Sequence, residues 1–237
     1  YQLGRGRSDG SSQLLTAGVS VGANVLQMTG SCFRLPDQTL RCAADGALRT
    51  PEPTEALSIA DVAHGGRHWC VVTSDGEIIC YGDDDQGQLG TGGFAEGEPV
   101  LGIADAVDVT CGDAHCCALR RGGRAVCWGS NVSGQLGVAD GGDATCSQCS
   151  SFPVPLPIEA QIRDITAGHG HSCAVTVDGD VFCWGANGSG QVGAPTRRNV
   201  FEPHELDTLP DNDPALTVAA SASGSTSCAS LTSGIVR

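Results

Sequence analysis

The residues of this chain best suited to chemistry are its histidines and cysteines. Three His-x-Cys triplets occur, His68-Trp69-Cys70, His115-Cys116-Cys117 and His171-Ser172-Cys173. A further cysteine follows each triplet's cysteine by ten residues, at Cys80, Cys127 and Cys183. Imidazole and thiolate both ligate zinc, so a metal centre is one reading and a disulfide the other. Recurrence favours the disulfide. A unit that returns once per segment behaves as a structural staple, whereas a catalytic or metal centre is expected once. Structural zinc sites also show two close ligand pairs, which this pattern lacks. The three histidines share one position and read as strand-start side chains bonded to backbone. We expect no catalytic residue, no metal ligand among the triplets and no cofactor.

The segments carrying these residues are copies of one unit. His68 to Gly82, His115 to Gly129 and His171 to Gly185 align almost without gaps, and each runs into a glycine-rich tail. The tails are Gly87-Gln-Leu-Gly90, Gly134-Gln-Leu-Gly137 and Gly190-Gln-Val-Gly193. Weaker copies start at Cys32 and Cys228, and Tyr1-Gln-Leu-Gly4 reads as the tail of another. First cysteines fall at 32, 70, 117, 173 and 228, so the intervals are 38, 47, 56 and 55 residues. A period near 50 residues, rich in short strands and turns, predicts a β-propeller rather than a helical solenoid.

Within each copy the pattern is a hairpin. In Cys173 to Cys183, β-branched and apolar residues are interrupted once, at Asp178-Gly179. A three-residue loop, Val177-Asp178-Gly179, pairs Thr176 with Asp180. Counting outward puts Cys173 opposite Cys183 at a non-hydrogen-bonded pair, where α-carbons lie ~4.5 Å apart, inside the range of a disulfide. The same count pairs Cys70 with Cys80 and Cys117 with Cys127. It also pairs Cys32 with Cys42, although Gln38 stands there in place of the glycine. Repeat hairpins therefore fall at 32–42, 70–80, 117–127, 173–183 and 228–237. The partner of Cys228 would stand just past Arg237, so the odd count of 13 cysteines suggests a chain, 1–237, truncated at both ends.

Cys111, Cys116, Cys146 and Cys149 stand outside this scheme. Cys146-Ser-Gln-Cys149 lies in an insertion, Ala139 to Ser151, expected to lengthen an inter-blade loop. A thioredoxin-type pair needs a neighbouring βαβ pattern, and none is present. A four-sulfur zinc site is one alternative. Two extra disulfides tying the long loop to its neighbouring blade are the expectation we carry forward.

Composition narrows the partners. The 237 residues carry 27 acids against 13 basic residues, all arginine, for a net charge of −14. Nucleic acid and anionic lipid need clustered positive charge, so neither is expected as a ligand. No run of 18 apolar residues exists to span a membrane.

The repeat resembles the regulator of chromosome condensation family: histidine, apolar strand, Asp-Gly turn, Trp-Gly, asparagine and Gly-Gln-Leu-Gly. His171 to Gly193 carries the pattern best. Asn131 and Asn187 hold the asparagine position, and Asp84 replaces it in the copy from His68 to Gly90. The resemblance implies an all-β fold, a β-propeller of four-stranded antiparallel blades, here about five repeats of a larger, seven-bladed ring. Cysteine staples depart from the family's nuclear members and look like a secreted or surface-exposed bacterial branch. That implies an extracellular, periplasmic or cell-surface location. The founding member's activity, nucleotide exchange on a small nuclear GTPase with docking on nucleosomes, has no residue counterpart here.

Among function classes, a non-catalytic module for protein binding or adhesion fits best, because propellers present variable loops at their rims. The candidate partner-binding residues are Asp83, Asp84 and Asp85, and Glu202, Glu205 and Asp207 in the acidic segment from Thr196 to Pro214. A secreted inhibitor of an extracellular enzyme is the alternative. A hydrolase is disfavoured, since no phosphate loop, nucleophile elbow or zinc-protease motif occurs.

Overall fold

The hairpins of blades 2, 3 and 4 are closed by the turn their glycine permits. Gly76, Gly123 and Gly179 have φ of 92°, 76° and 96°, a left-handed conformation that a side chain would strain. In the last of these, the Thr176 N–H donates to the Asp180 carbonyl (2.9 Å) and the Gly179 N–H to the Thr176 carbonyl (3.1 Å). The computed structural model describes residues 27–29, 32–35, 37, 39–44, 47–49, 57–140, 146–207, 209, 212–221 and 224–237. All regular elements among them are strands.

Five antiparallel sheets follow one another along the chain, and we number them as blades. Blade 1 comprises β1 (Gln27–Thr29), β2 (Cys32–Arg34), β3 (Leu40–Ala44) and β4 (Ala47–Arg49). Blade 2 comprises β5 (Ile59–His64), β6 (His68–Thr73) and β7 (Ile78–Gly82), with a single Ile79–Pro99 bridge in the place of a fourth strand. Blade 3 has four strands, β8 (Ala106–Cys111), β9 (His115–Arg120), β10 (Ala125–Ser130) and β11 (Cys149–Pro155). Blade 4 repeats that plan with β12 (Ile162–Ala167), β13 (His171–Thr176), β14 (Val181–Gly185) and β15 (Val200–Glu205). Blade 5 contains β16 (Ala215–Ala220) and β17 (Ser227–Leu231), with a bridge from Ser230 to Val236.

In blades 2, 3 and 4 the second strands β6, β9 and β13 are buried on both faces, so each blade needs its neighbours to cover it. The core is therefore a series of inter-blade seams. Cys70, Val72, Ile78 and Leu89 of blade 2 pack against Val109, Cys111, Cys116 and Trp128 of blade 3. Leu119, Cys127 and Leu136 of blade 3 meet Ile165, Ala174 and Trp184 of blade 4, and Val175, Cys183 and Val192 meet Ala215, Val218 and Leu231 of blade 5. The one correction to the layout concerns the insertion from Ala139 to Ser151. It joins β10 to β11 inside blade 3 and is not an inter-blade loop.

The seams are closed at their inner end by glycines. A Cβ on Gly112 would collide with the His115 ring and with the Gly168 carbonyl of the next blade. Gly112→Ala should therefore destabilise the protein by about 2–3 kcal/mol in urea titration. Gly122→Ala, at an exposed turn position where a Cβ meets nothing within 4 Å, should change stability by less than ~0.5 kcal/mol.

Candidate functional site

The repeated histidine does not bond to backbone as expected. It reaches into the next blade. His115 Nε2 lies 2.9 Å from Ser172 Oγ, and His171 Nε2 lies 2.8 Å from Ser227 Oγ. Both serines donate their single proton to a carbonyl, Gln135 O at 3.1 Å and Gln191 O at 3.0 Å. Each hydroxyl oxygen must then accept from the imidazole, which assigns the proton to Nε2. The same Gln135 carbonyl accepts the Trp184 indole N–H (2.9 Å), and Gln88 O accepts that of Trp128 (2.9 Å). Histidine, tryptophan and the Gly-Gln tail thus form one clasp between consecutive blades. The only local trace of this in the sequence is a serine immediately before the first cysteine of a copy, at Ser172-Cys173 and Ser227-Cys228.

A second set of bonds runs along the inner strands. Asp61 Oδ2 accepts the Val109 N–H (2.8 Å) and Asp164 Oδ2 that of Val218 (2.9 Å). Thr110 Oγ1 accepts the Ala167 N–H at 2.9 Å. Every one of these crosses a blade boundary.

Burial sets the charge of the clasp. It lowers the pKa of His68 to about 4, of His115 to about 3 and of His171 to about 4, with neighbouring imidazoles adding to the effect. All three are neutral at pH 7, and Nδ1 of each is buried without a partner.

The cysteines sort onto the two faces of each hairpin. Cys70 is joined to Cys80, Cys117 to Cys127 and Cys173 to Cys183, with α-carbons 4.1, 4.0 and 4.1 Å apart. In blade 1 the backbone register sets Cys32 opposite Cys42, and their side chains lie outside the described residues. Cys111 is joined to Cys116 across β8 and β9, and Cys146 to Cys149. This corrects the expected tie between the long loop and a neighbouring blade, because each pair closes locally. Alternation along β9 explains it: Cys116 and Cys117 point to opposite faces. Cys228 has no partner and is partly exposed.

The acids expected at a partner surface are dispersed. Asp84 is engaged in the fold: its Oδ1 accepts the Leu89 N–H at 2.9 Å, as Asn131 does from Leu136 and Asn187 from Val192 at 3.0 Å. Burial raises its pKa. Asp83 pairs with Arg67 at 2.8 Å, and Asp85 is exposed. Glu202 and Glu205 are exposed on the outer strand β15, not in a loop, and Asp207 follows them. They belong to a different blade from Asp83–Asp85, so the six acids form no single site.

An apolar patch that the sequence did not single out lies at the outer rim of blades 2 and 3. Phe94 is 65% exposed and Phe152 45%. A Cβ on Gly92 would touch both the Phe152 ring and Leu101, so these side chains are neighbours. Phe94 and Leu101 line one open groove with Val100, Glu77 and Glu98.

Blades of short antiparallel strands, clasped in series and presenting variable rims, define a β-propeller of repeated units. The regulator of chromosome condensation (RCC1) repeat matches residues 75–119, 123–175 and 178–231, and a second description of the same repeat matches 59–88, 106–135 and 162–191. The chain belongs to this family. It is 37% identical over 83 residues to the mitochondrial RCC1 domain-containing protein RUG3 of Arabidopsis thaliana, covering 35% of this chain and 18% of that protein. It is 28% identical over 162 residues to the human E3 ubiquitin-protein ligase HERC2, covering 67% of the chain and 3% of the ligase. Among solved structures, yeast RCC1 (Prp20) bound to Kap60 superposes with a TM-score of 0.72 at 22% identity, over 86% of this chain and 52% of that one. Human WBSCR16 gives 0.68 at 18% identity, over 84% and 56%. The chain thus spans about half the length of these propellers.

The clasp histidines have folded-state pKa values below the ordinary 6.5, so the unfolded chain binds more protons in acid. Their stability contribution is complete above pH ~6.5 and is lost as pH falls through the folded values of about 4 for His68 and His171 and about 3 for His115. Urea midpoints measured from pH 8 to pH 4 should drop across that window, and Ser172→Ala should cost about 1–3 kcal/mol at pH 7. Alkylation of the folded, unreduced protein should label Cys228 and leave the ten described paired cysteines unlabelled.

Proposed function

We propose that this propeller is a non-catalytic scaffold that binds a protein partner outside the cytoplasm. The observation that carries the reading is the exposed Phe94–Leu101–Phe152 patch beside Glu77 and Glu98. Exposed aromatic side chains in one patch are characteristic of protein-binding surfaces. The acids beside it, on a chain of net charge −14, favour a partner surface that is apolar at its centre and basic at its edge. The repeated histidines, tryptophans and tail residues are all occupied in holding blades together, which leaves the rim for recognition. The propeller architecture also supports this reading: yeast Prp20 has reported binding to Gsp1p and histones, and a plant receptor kinase, ACR4, carries a similar propeller in its ectodomain at a TM-score of 0.56. Extracytoplasmic placement rests on the disulfide density.

The test is affinity capture from the native source, followed by titration of the purified partner. Phe94→Ser with Phe152→Ser should weaken binding at least ~10-fold, and raised salt should weaken it further. Unchanged affinity in the double variant would remove the rim patch as the site. Turnover of a glycan or ester substrate by the purified chain would overturn the non-catalytic assignment.

A further inference from the structure

The seam between blades 2 and 3 differs from its neighbours. In blades 3, 4 and 5 the cross-strand pair at the same position closes the start of the inner hairpin. It is Ala167 with Ser172 in blade 4 and Ala220 with Ser227 in blade 5, but Cys111 with Cys116 in blade 3. Where the other clasps place a serine hydroxyl, His68 Nε2 meets Cys116 Sγ at 3.0 Å. The donor atoms of His68, Cys111 and Cys116 all lie within 4.8 Å of one another, and all three residues are buried. Cys70 Sγ of the blade 2 staple stands outside that trio but lies 3.6 Å from Cys116 Sγ, so it joins the set only by rotating towards His68 and Cys111 once freed from Cys80.

We propose that this seam is a latent zinc site: with its disulfides reduced, His68 and Cys70 of blade 2 and Cys111 and Cys116 of blade 3 bind one Zn2+ between the blades. The donor set is three thiolates and one imidazole, the set zinc takes in closed structural sites. Zn–S bonds of about 2.3 Å place the sulfurs of a tetrahedral site roughly 3.8 Å apart. The Cys70–Cys116 separation of 3.6 Å already approaches that edge. Cys111 and Cys116, once released from each other, need only side-chain rotation to open by a similar amount.

A small thiol reductant gives two electrons and two protons to each of the Cys70–Cys80 and Cys111–Cys116 disulfides and leaves as its own disulfide. Zinc then displaces the thiol protons of Cys70, Cys111 and Cys116. His68 ligates through Nε2 as the neutral imidazole whose single ring proton then sits on Nδ1, and Cys80 remains a thiol. Among the described residues, the seams between blades 3 and 4 and between blades 4 and 5 lack the second cysteine pair and hold no such set. Cys146 and Cys149 bond to each other and stand outside the trio within ligand reach. The same seam is thus held by disulfides under oxidising conditions and by metal under reducing ones.

The experiment uses the full chain reduced with a phosphine under argon and titrated with Co2+ and then Zn2+. Strand content is followed by circular dichroism. We expect one equivalent of Co2+ with tetrahedral thiolate absorption, displaced by Zn2+, and a higher urea midpoint for the zinc-loaded reduced chain than for the metal-free one. Cys111→Ser with Cys116→Ser should weaken binding at least ~100-fold, and His68→Gln at least ~10-fold. Cys173→Ser with Cys183→Ser, and Cys146→Ser with Cys149→Ser, should leave it unchanged. Absence of cobalt binding, full binding by the Cys111/Cys116 variant, or loss of binding in either control pair would overturn the proposal.

Discussion

Everything in this protein depends on the seam between consecutive blades. A single four-stranded sheet of five- and six-residue strands cannot bury enough apolar surface to offset the entropy of ordering it. Each blade therefore exists only because the next one covers its face. The polar clasp makes that cover specific. An apolar seam alone would tolerate sliding, because hydrophobic attraction has no direction. A histidine, a serine hydroxyl, an indole N–H and a tail carbonyl that must all be satisfied in one register do not tolerate it.

The staples act on a different term. A disulfide across a ten-residue hairpin restricts the unfolded chain while adding little to the seam itself. With 4% aromatic residues, the chain has few large side chains with which to fill its seams, and sulfur stands in for them. Cys70, Cys127 and Cys183 are each part of an inter-blade cluster. They are thus core residues as much as cross-links. Placement of the third-blade pair on the opposite face brings two disulfides into contact across one seam, which no other pair of blades achieves among the described residues.

Division of labour between inside and rim follows from the same constraint. The residues repeated at one position in the three best copies serve the seams, so they are spent on architecture. Asp84 illustrates this: in the sequence it stands in an acidic triplet, but its carboxylate takes the part of Asn131 and Asn187 in building the tail turn. What remains for recognition is what differs between copies, the outer strands and their loops.

The hairpin registers, the cross-strand cysteine pairs and the propeller architecture were legible in the sequence, because each depends on short-range spacing: a turn glycine, a two-residue alternation and a repeat period. Family resemblance supplied the four-stranded blades. The partners of the histidines were not legible, since His115 and Ser172 are 57 residues apart and meet only when two blades pack. The pairing of Cys111 with Cys116 was left open for the same kind of reason. Spacing alone did not show that β8 and β9 face each other at that point. The Phe94–Leu101–Phe152 patch joins blade 2 to blade 3, and the cluster of His68, Cys70, Cys111 and Cys116 spans the same two blades. Local sequence determined how each blade is made. Only the packing of one blade on the next decided which side chains share a site, because contacts across a seam have no periodicity along the chain.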